Sequence, residues 1–395
     1  MHWFLVFPKL SIGGQSGILI GELFLVLILA RSILFQTYKL RMNVEIKLIA
    51  CLAFYYFVLS NFSFYTEGIV LGGIIYFCKI FLIILGYGLI TPISNQPYDN
   101  LNKFIIKPYF ILCSISLVIF IAYKIILNPS VGEILWGYSL GARLIPMFGL
   151  GLDVINFSLA PIGGGSGNLL GSFSLITLIV ICNAKSIDKR YLLIGAIFLF
   201  VFLALSRSSL ITLTLYMVYF FLFKKRKIIT LLLISTLVVT VLAMFGEQIS
   251  LVNRLTDTVT SKGLDASSMG RVINYIDGFK AWAASPWSVI WGIGSDESLL
   301  LEKVHAPLIE SFYLGLLYSG GLISILFIFL FMTLIFCKRN NNIYYRYLFE
   351  YIVFQSIIQW TLAGGDFWGP VNMYILIVFL ALGQQQKLRK KCQGI

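Results

Sequence analysis

Three side chains define the chemistry open to this chain: Arg207 in LALSRSSLITL, Arg271 in GRVINYIDGFKAWAASPW and His305 in EKVHAPLIESFYLG. The planar guanidinium of arginine pairs bidentately with phosphate oxygens. Two or three of them hold a pyrophosphate and neutralise it as a leaving group without a metal, the kind of preorganised charge that dominates catalysis. A histidine titrates near neutral pH and takes the proton of an attacking hydroxyl. Arg143, in GARLIPMFGLG, is a further cation of the same kind. Lys79 falls near the middle of a long apolar run, where charge is most expensive, so it either pairs with another helix or reaches a polar cavity. Tyr275 and Trp282 suit sugar faces and the lipid interface alike. No DxD-type acidic pair is present, so neither metal nor cofactor is expected. Spacing alone leaves plain alternatives open: solvated arginines at 271 and 143, a snorkelling turn arginine at 207, a backbone-bonded histidine at 305.

The elements that position these groups are membrane spans. The chain has 395 residues, 59% of them hydrophobic and 12% charged, against about 25% charge in a soluble domain. Apolar runs of about twenty residues recur along it, the length a bilayer requires. The expectation is an all-α polytopic membrane protein of about eleven transmembrane helices, near 17–36, 45–63, 68–90, 105–127, 168–184, 191–206, 209–223, 228–246, 312–336, 347–363 and 371–384. The whole chain, 1–395, reads as one membrane-embedded domain with two long outer loops, about 128–167 and 247–311.

Charge sets the sidedness. Lys39, Arg41 and Lys47; Lys103 and Lys107; Lys185, Lys189 and Arg190; KKRK at 224–227; Lys338, Arg339 and Arg346; and KLRKK at 387–391 occupy alternate connections. These are cytosolic by the positive-inside rule. Glu67, Glu133, Asp153, Glu247, Asp257, Asp265, Asp277, Asp296, Glu297, Glu302 and Asp366 fall in the others, with the arginine–histidine set. The C-terminus is then inside and the N-terminus outside, with no removable signal peptide expected. The formal charge of +13 is spread over these short segments, which excludes a nucleic-acid surface. The six cysteines lie in spans or at cytosolic ends and imply no disulfide framework. GGGSG at 163–167 lacks a following lysine and reads as a loop, not a phosphate-binding turn.

Within the larger loop, Val272, Tyr275, Ile276, Phe279 and Trp282 repeat at helical spacing. Ser267 and Ser268 are the expected N-caps and Pro286 the stop. Such a helix lies on the membrane surface with its apolar stripe toward the bilayer. Arg271 in its first turn would oppose the helix dipole.

Taken together, RLIPMFG with GSGNLLGSFSLI, SRSSLI, GRVINYIDGFKAWAASPWSVIWGIGS and HAPLIESFYLGLLYSGGL resemble, in order and place, the motifs of the O-antigen polymerase and O-antigen ligase superfamily (Wzy-like) of bacterial envelope proteins. The resemblance covers about 130–385 by motif and the N-terminal third by topology. It implies a metal-independent, inverting glycosyltransferase in the bacterial plasma (inner) membrane, working on the extracytoplasmic side. Its substrate would be an undecaprenyl-pyrophosphate-linked oligosaccharide, polymerised into O-antigen, lipopolysaccharide, capsule or exopolysaccharide. A ligase passing the glycan to another acceptor is the alternative, and a lipid or solute flippase the alternative of another class. By the same resemblance Arg207, Arg271 and His305 are catalytic; Arg143, Tyr275, Trp282, Glu310 and Lys79 are expected from their own types and places to bind substrate. A chain-length regulator and a flippase of the pathway are the implied partners. One departure is Ala306–Pro307 after the histidine, where family members often have Asn.

Overall fold

The computed structural model describes residues 9–11, 17–19, 43–61, 96–114, 167–184, 190–203, 206–225, 266–294, 303–304, 311–362 and 370–392, with isolated positions between. Among these the chain is helical except for one small hairpin. Its strands, β1 (Lys9–Ser11) and β2 (Gly17–Leu19), pair antiparallel with Lys9 opposite Leu19. The intervening IGGQS is rich in turn formers. The hairpin therefore takes the first residues of the run expected to begin a span at 17.

The helices are α1 (Val44–Asn61), α2 (Pro97–Leu101), α3 (Gly167–Asn183), α4 (Arg190–Leu203), α5 (Arg207–Tyr219), α6 (Ala266–Trp282), α7 (Pro286–Trp291), α8 (Phe312–Lys338), α9 (Ile343–Ile357), α10 (Gln359–Leu362) and α11 (Pro370–Cys392). α2 continues through a π turn at Asn102–Ile106, and α5 ends in another at Phe220–Lys224. Helices α1, α3, α4, α5, α8, α9 with α10, and α11 fall on runs expected to span. The runs 17–36, 68–90 and 228–246 lie wholly or mostly outside the described residues. Among those described, α8 alone is both long and apolar enough to cross a bilayer, with mean hydropathy 2.6. The shorter apolar helices run Leu170–Asn183, Arg190–Val201 and Ser208–Lys224. The number of spans remains an expectation of the sequence.

The core forms around α3 and α11. A helix apolar on every side is stable only when surrounded, and both are: Leu170 and Leu175–Ile181, like Val371 and Tyr374–Leu382, are buried throughout. α3 packs against α4, α5, α9 and α11, and α8 packs against α1 and α9.

One end of this bundle is polar, and it collects segments expected on one side. Lys224 Nζ lies 2.6 Å from Glu350 Oε1 and donates to Asn183 Oδ1 at 2.9 Å, while the Tyr216 hydroxyl donates to Glu350 Oε2. Lys338 pairs with Glu45, whose side chain is fully buried. Asn342 Nδ2 donates to the Gly383 carbonyl, and Asn100 Nδ2 to the Tyr344 hydroxyl. These bonds join the start of α1 to the end of α8, the ends of α3 and α5 to the middle of α9, and the start of α9 to α2 and α11. Neither buried carboxylate stood out in the sequence, because each is a single acid at the edge of an apolar run.

Candidate active site at the joint of a loop helix and a broken span

The opposite end is built around α6, α7 and α8. α6 begins at Ala266, so Ser267 and Ser268 are inside the helix and do not cap it. Arg271 is then the sixth residue, past the first turn where the helix dipole is felt, and the expected unfavourable placement does not arise. α6 ends at Trp282. A short turn leads to Ser285, which caps α7: its hydroxyl accepts from Ser288 N at 3.1 Å, and Ser288 Oγ accepts from Ser285 N at 3.0 Å. Pro286 stands at the first helical position, where its missing N–H is harmless. It starts α7 as well as following the end of α6.

The stripe expected to face the bilayer as a unit is divided. Val272, Ile273, Ile276 and Phe279 are 38%, 52%, 47% and 54% exposed. Asn274, at 6%, is buried, Gly278 is buried, and Arg271, Tyr275 and Trp282 are half-buried on the same side. α6 packs against α8. It therefore turns Arg271, Asn274 and Tyr275, with Ala281 and Trp282, toward the protein and leaves Val272, Ile273, Ile276, Phe279 and Lys280 on the outer side, which fits a helix lying at a membrane surface. The Trp282 indole N–H donates to the Val289 carbonyl at 3.3 Å, and Ser288 Oγ donates to the Trp282 carbonyl at 2.6 Å. Trp282 thus braces the α6–α7 turn.

α8 is broken at Gly321 (φ 60°, ψ −160°), a conformation essentially reserved for glycine. A break inside a helix frees carbonyls that its own N–H groups would have taken. Three carbonyls next to the break meet outside donors. Ile293 N donates to Tyr318 O at 2.7 Å and Gly294 N to Ser319 O at 3.1 Å. The Tyr55 hydroxyl, from α1, lies 3.0 Å from Gly320 O and 2.9 Å from Trp291 O. The approach is backbone to backbone: a Cβ on Gly292 would sit 2.5 Å from Gly320 N, and one on Gly321 2.3 Å from Ile290 O. This close fit accounts for Gly292 and Gly321, whereas Gly294 has open space around it and is set apart by its φ of 105°. Ile293 and Tyr318 form a small buried cluster with Val304, and Ala281 of α6 packs against it.

Arg207 heads α5. Ser206 caps that helix, accepting from Ser209 N at 3.4 Å, and the two hydroxyls are 2.6 Å apart. Residues 204–205 of the expected tight turn between two spans lie outside the described residues. α10 packs against both α5 and α8, and Trp360 of α10 meets Phe312 with ring centroids 4.8 Å apart. The start of α5 and the start of α8 therefore share the end opposite the Lys224–Glu350 pair. His305 and Glu310 lie outside the described residues, between Val304 and Ser311. Arg143 and Lys79 also lie outside them. The joint itself, with Tyr55 and the Gly292–Gly321 contact, escaped sequence reasoning; its signal was the paired glycine motifs.

Residues 192–329 match the family described as O-antigen ligase (Wzy_C). The match runs from α4 to within α8 and takes in Arg207, Arg271, Tyr275, Trp282, His305 and Glu310. No curated protein matches the chain. Members of the family are membrane-integral bacterial enzymes that transfer glycans and act on lipid-linked oligosaccharides. The matched segment supports the resemblance of this chain to the O-antigen ligase and polymerase superfamily.

Proposed function

We propose that the protein is an inner-membrane glycosyltransferase that polymerises undecaprenyl-pyrophosphate-linked repeat units on the extracytoplasmic face. Arg207 and Arg271 hold the donor pyrophosphate. The acceptor hydroxyl attacks the anomeric carbon, the sugar–pyrophosphate bond breaks, and the anomeric configuration inverts in that single displacement. His305, which follows buried Val304 in the chain, receives the hydroxyl proton. The polyprenyl pyrophosphate leaves with the bonding electrons, its charge met by the two guanidinium groups. Arg143, Tyr275, Trp282, Glu310 and Lys79 line the path of the substrate, and no metal takes part. The observation that carries this reading is the turned face of α6: Arg271, Asn274 and Tyr275 point toward the protein and the apolar residues away.

The test is Arg271→Ala in the intact cell. Protein level stays normal, long polysaccharide disappears, and single repeat units accumulate on the outer leaflet. Normal polymer from this variant would overturn the reading. Loss of transfer to a separate acceptor, with polymer still made, would assign a ligase.

The break in α8 favours a second reading, because transporters bind solutes at interrupted helices. Here the carbonyls of Tyr318, Ser319 and Gly320 are already taken by the chain's own donors, which weighs against it. Repeat units accumulating on the inner leaflet would decide for transport.

A further inference from the structure

We propose that Tyr55 is a positioning residue for glycosyl transfer: its hydroxyl, shared between Trp291 O and Gly320 O, fixes the α6–α7 unit and its Arg271 face against the broken span. The inference rests on the assignment of Arg271 to the donor pyrophosphate. Tyr55 lies outside the matched segment 192–329, in a helix to which no role is otherwise attached.

Three observations converge on it. The hydroxyl is 2.9 Å and 3.0 Å from two carbonyls that belong to different elements, one ending α7 and one ending the first half of α8. A single group therefore bridges loop and bundle. Its ring is seated between the two, 6.4 Å from the Trp291 ring and 6.3 Å from Phe327 of α8. Tyr56, fully buried beside it, lies 3.5 Å from the Ser319 hydroxyl and anchors the same stretch of α8. Gly292 and Gly321, both at positive φ, meet across this joint. Residues held in glycine-only conformations mark places where the surrounding structure enforces one geometry. This joint terminates α7, and Trp282 ties α7 to α6, which carries Arg271, so a tilt at the joint moves the guanidinium relative to the rest of the site.

The experiment uses the full chain in nanodiscs, with lipid-linked repeat units extracted from cells lacking the gene. Tyr55→Phe keeps the ring and removes the donor. The expected result is a fall in kcat on the order of ten- to a hundredfold, the effect of a small misplacement of a catalytic group, with little change in KM. Spin labels at Phe279 and Phe329, both exposed, report a broadened distance in this variant. Tyr55→4-aminophenylalanine, which restores a donor at the same place, recovers both readouts. Phe327→Leu loosens the ring seat without touching the hydroxyl and gives a smaller loss of the same kind, so the test survives if Tyr55→Phe does not accumulate. Wild-type kcat in whichever of the two folds overturns the proposal.

An Arg271→Lys background separates the two claims. If Arg271→Lys alone leaves kcat unchanged, the pyrophosphate role fails whatever Tyr55 does. If Arg271→Lys lowers kcat and Tyr55→Phe multiplies that loss in full, Tyr55 acts apart from Arg271 and the proposal fails. Losses that do not multiply support it.

Discussion

Gly321→Ala tests the joint most directly. The native φ of 60° with ψ of −160° is open to glycine and strained for any residue with a Cβ. The added carbon would sit 2.3 Å from Ile290 O and 2.6 Å from Gly292 N, and both are backbone atoms that no rotamer change moves aside. Keeping the break would cost about 1–3 kcal/mol in backbone strain alone. Separating the 290–294 segment from α8 instead gives up the bonds from Ile293 and Gly294, each worth about 0.5–1.5 kcal/mol net. Alanine also favours a continuous helix by about 1 kcal/mol over glycine. The lower-energy outcome is a straightened α8 whose carbonyls 318–320 pair internally, with α7 released. Hydrogen exchange on the protein in nanodiscs reads this directly: amides 293 and 294 lose protection while 325–335 keep it, and glycosyl transfer is lost. Gly195→Ala and Gly270→Ala are the controls. Both glycines lie in helices with open space where a Cβ would go, so these variants melt at or slightly above the wild-type temperature. Unchanged protection at 293 and 294 in Gly321→Ala would refute the account of the joint.

Two further outcomes follow from the packing. Lys224→Met leaves Glu350 buried without its cation and lowers stability by about 3–5 kcal/mol, whereas Lys224→Met with Glu350→Leu recovers most of the loss; thermal melts of the two variants in detergent check this, and equal loss in both would sink it. Cysteines placed at Ile276 and Phe279 react with a lipid-phase maleimide, while one at Asn274 does not; the reverse order would show that α6 faces the other way.

Much of the fold was legible because bilayer thickness fixes span length. The apolar runs at 168–184 and 312–336 became α3 and α8 nearly residue for residue. Segregation of Lys and Arg was legible for the same reason, and the pairs Lys224–Glu350 and Lys338–Glu45 join basic segments at one end. Pro286 marked the α6–α7 boundary through its own backbone preference. The helix start was misplaced, since Ser267 and Ser268 have the chemistry of caps but only neighbouring structure decides whether a serine is used as one.

The full orientation of α6 was beyond the sequence: its stripe was expected toward the bilayer as a unit, yet Tyr275 and Trp282 turn toward the protein. Helical periodicity shows that Val272, Ile276 and Phe279 share a side, and that Arg271 and Asn274 lie elsewhere. Lipid tails and a protein core are equally apolar, so the pattern does not say which of them the stripe meets. The break in α8 was hidden for a similar reason. Glycine permits a positive φ without requiring it, and Gly320 and Gly321 sit within a run whose hydropathy alone implies an unbroken span. Only the approach of Gly292, the donors on Ile293 and Gly294, and the Tyr55 hydroxyl made the broken form lower in energy. Sequence determined which residues are cations, aromatics and glycines and how far apart they stand along the chain. Tertiary structure decided which way they point, because that depends on hydrogen-bond partners supplied from more than two hundred residues away.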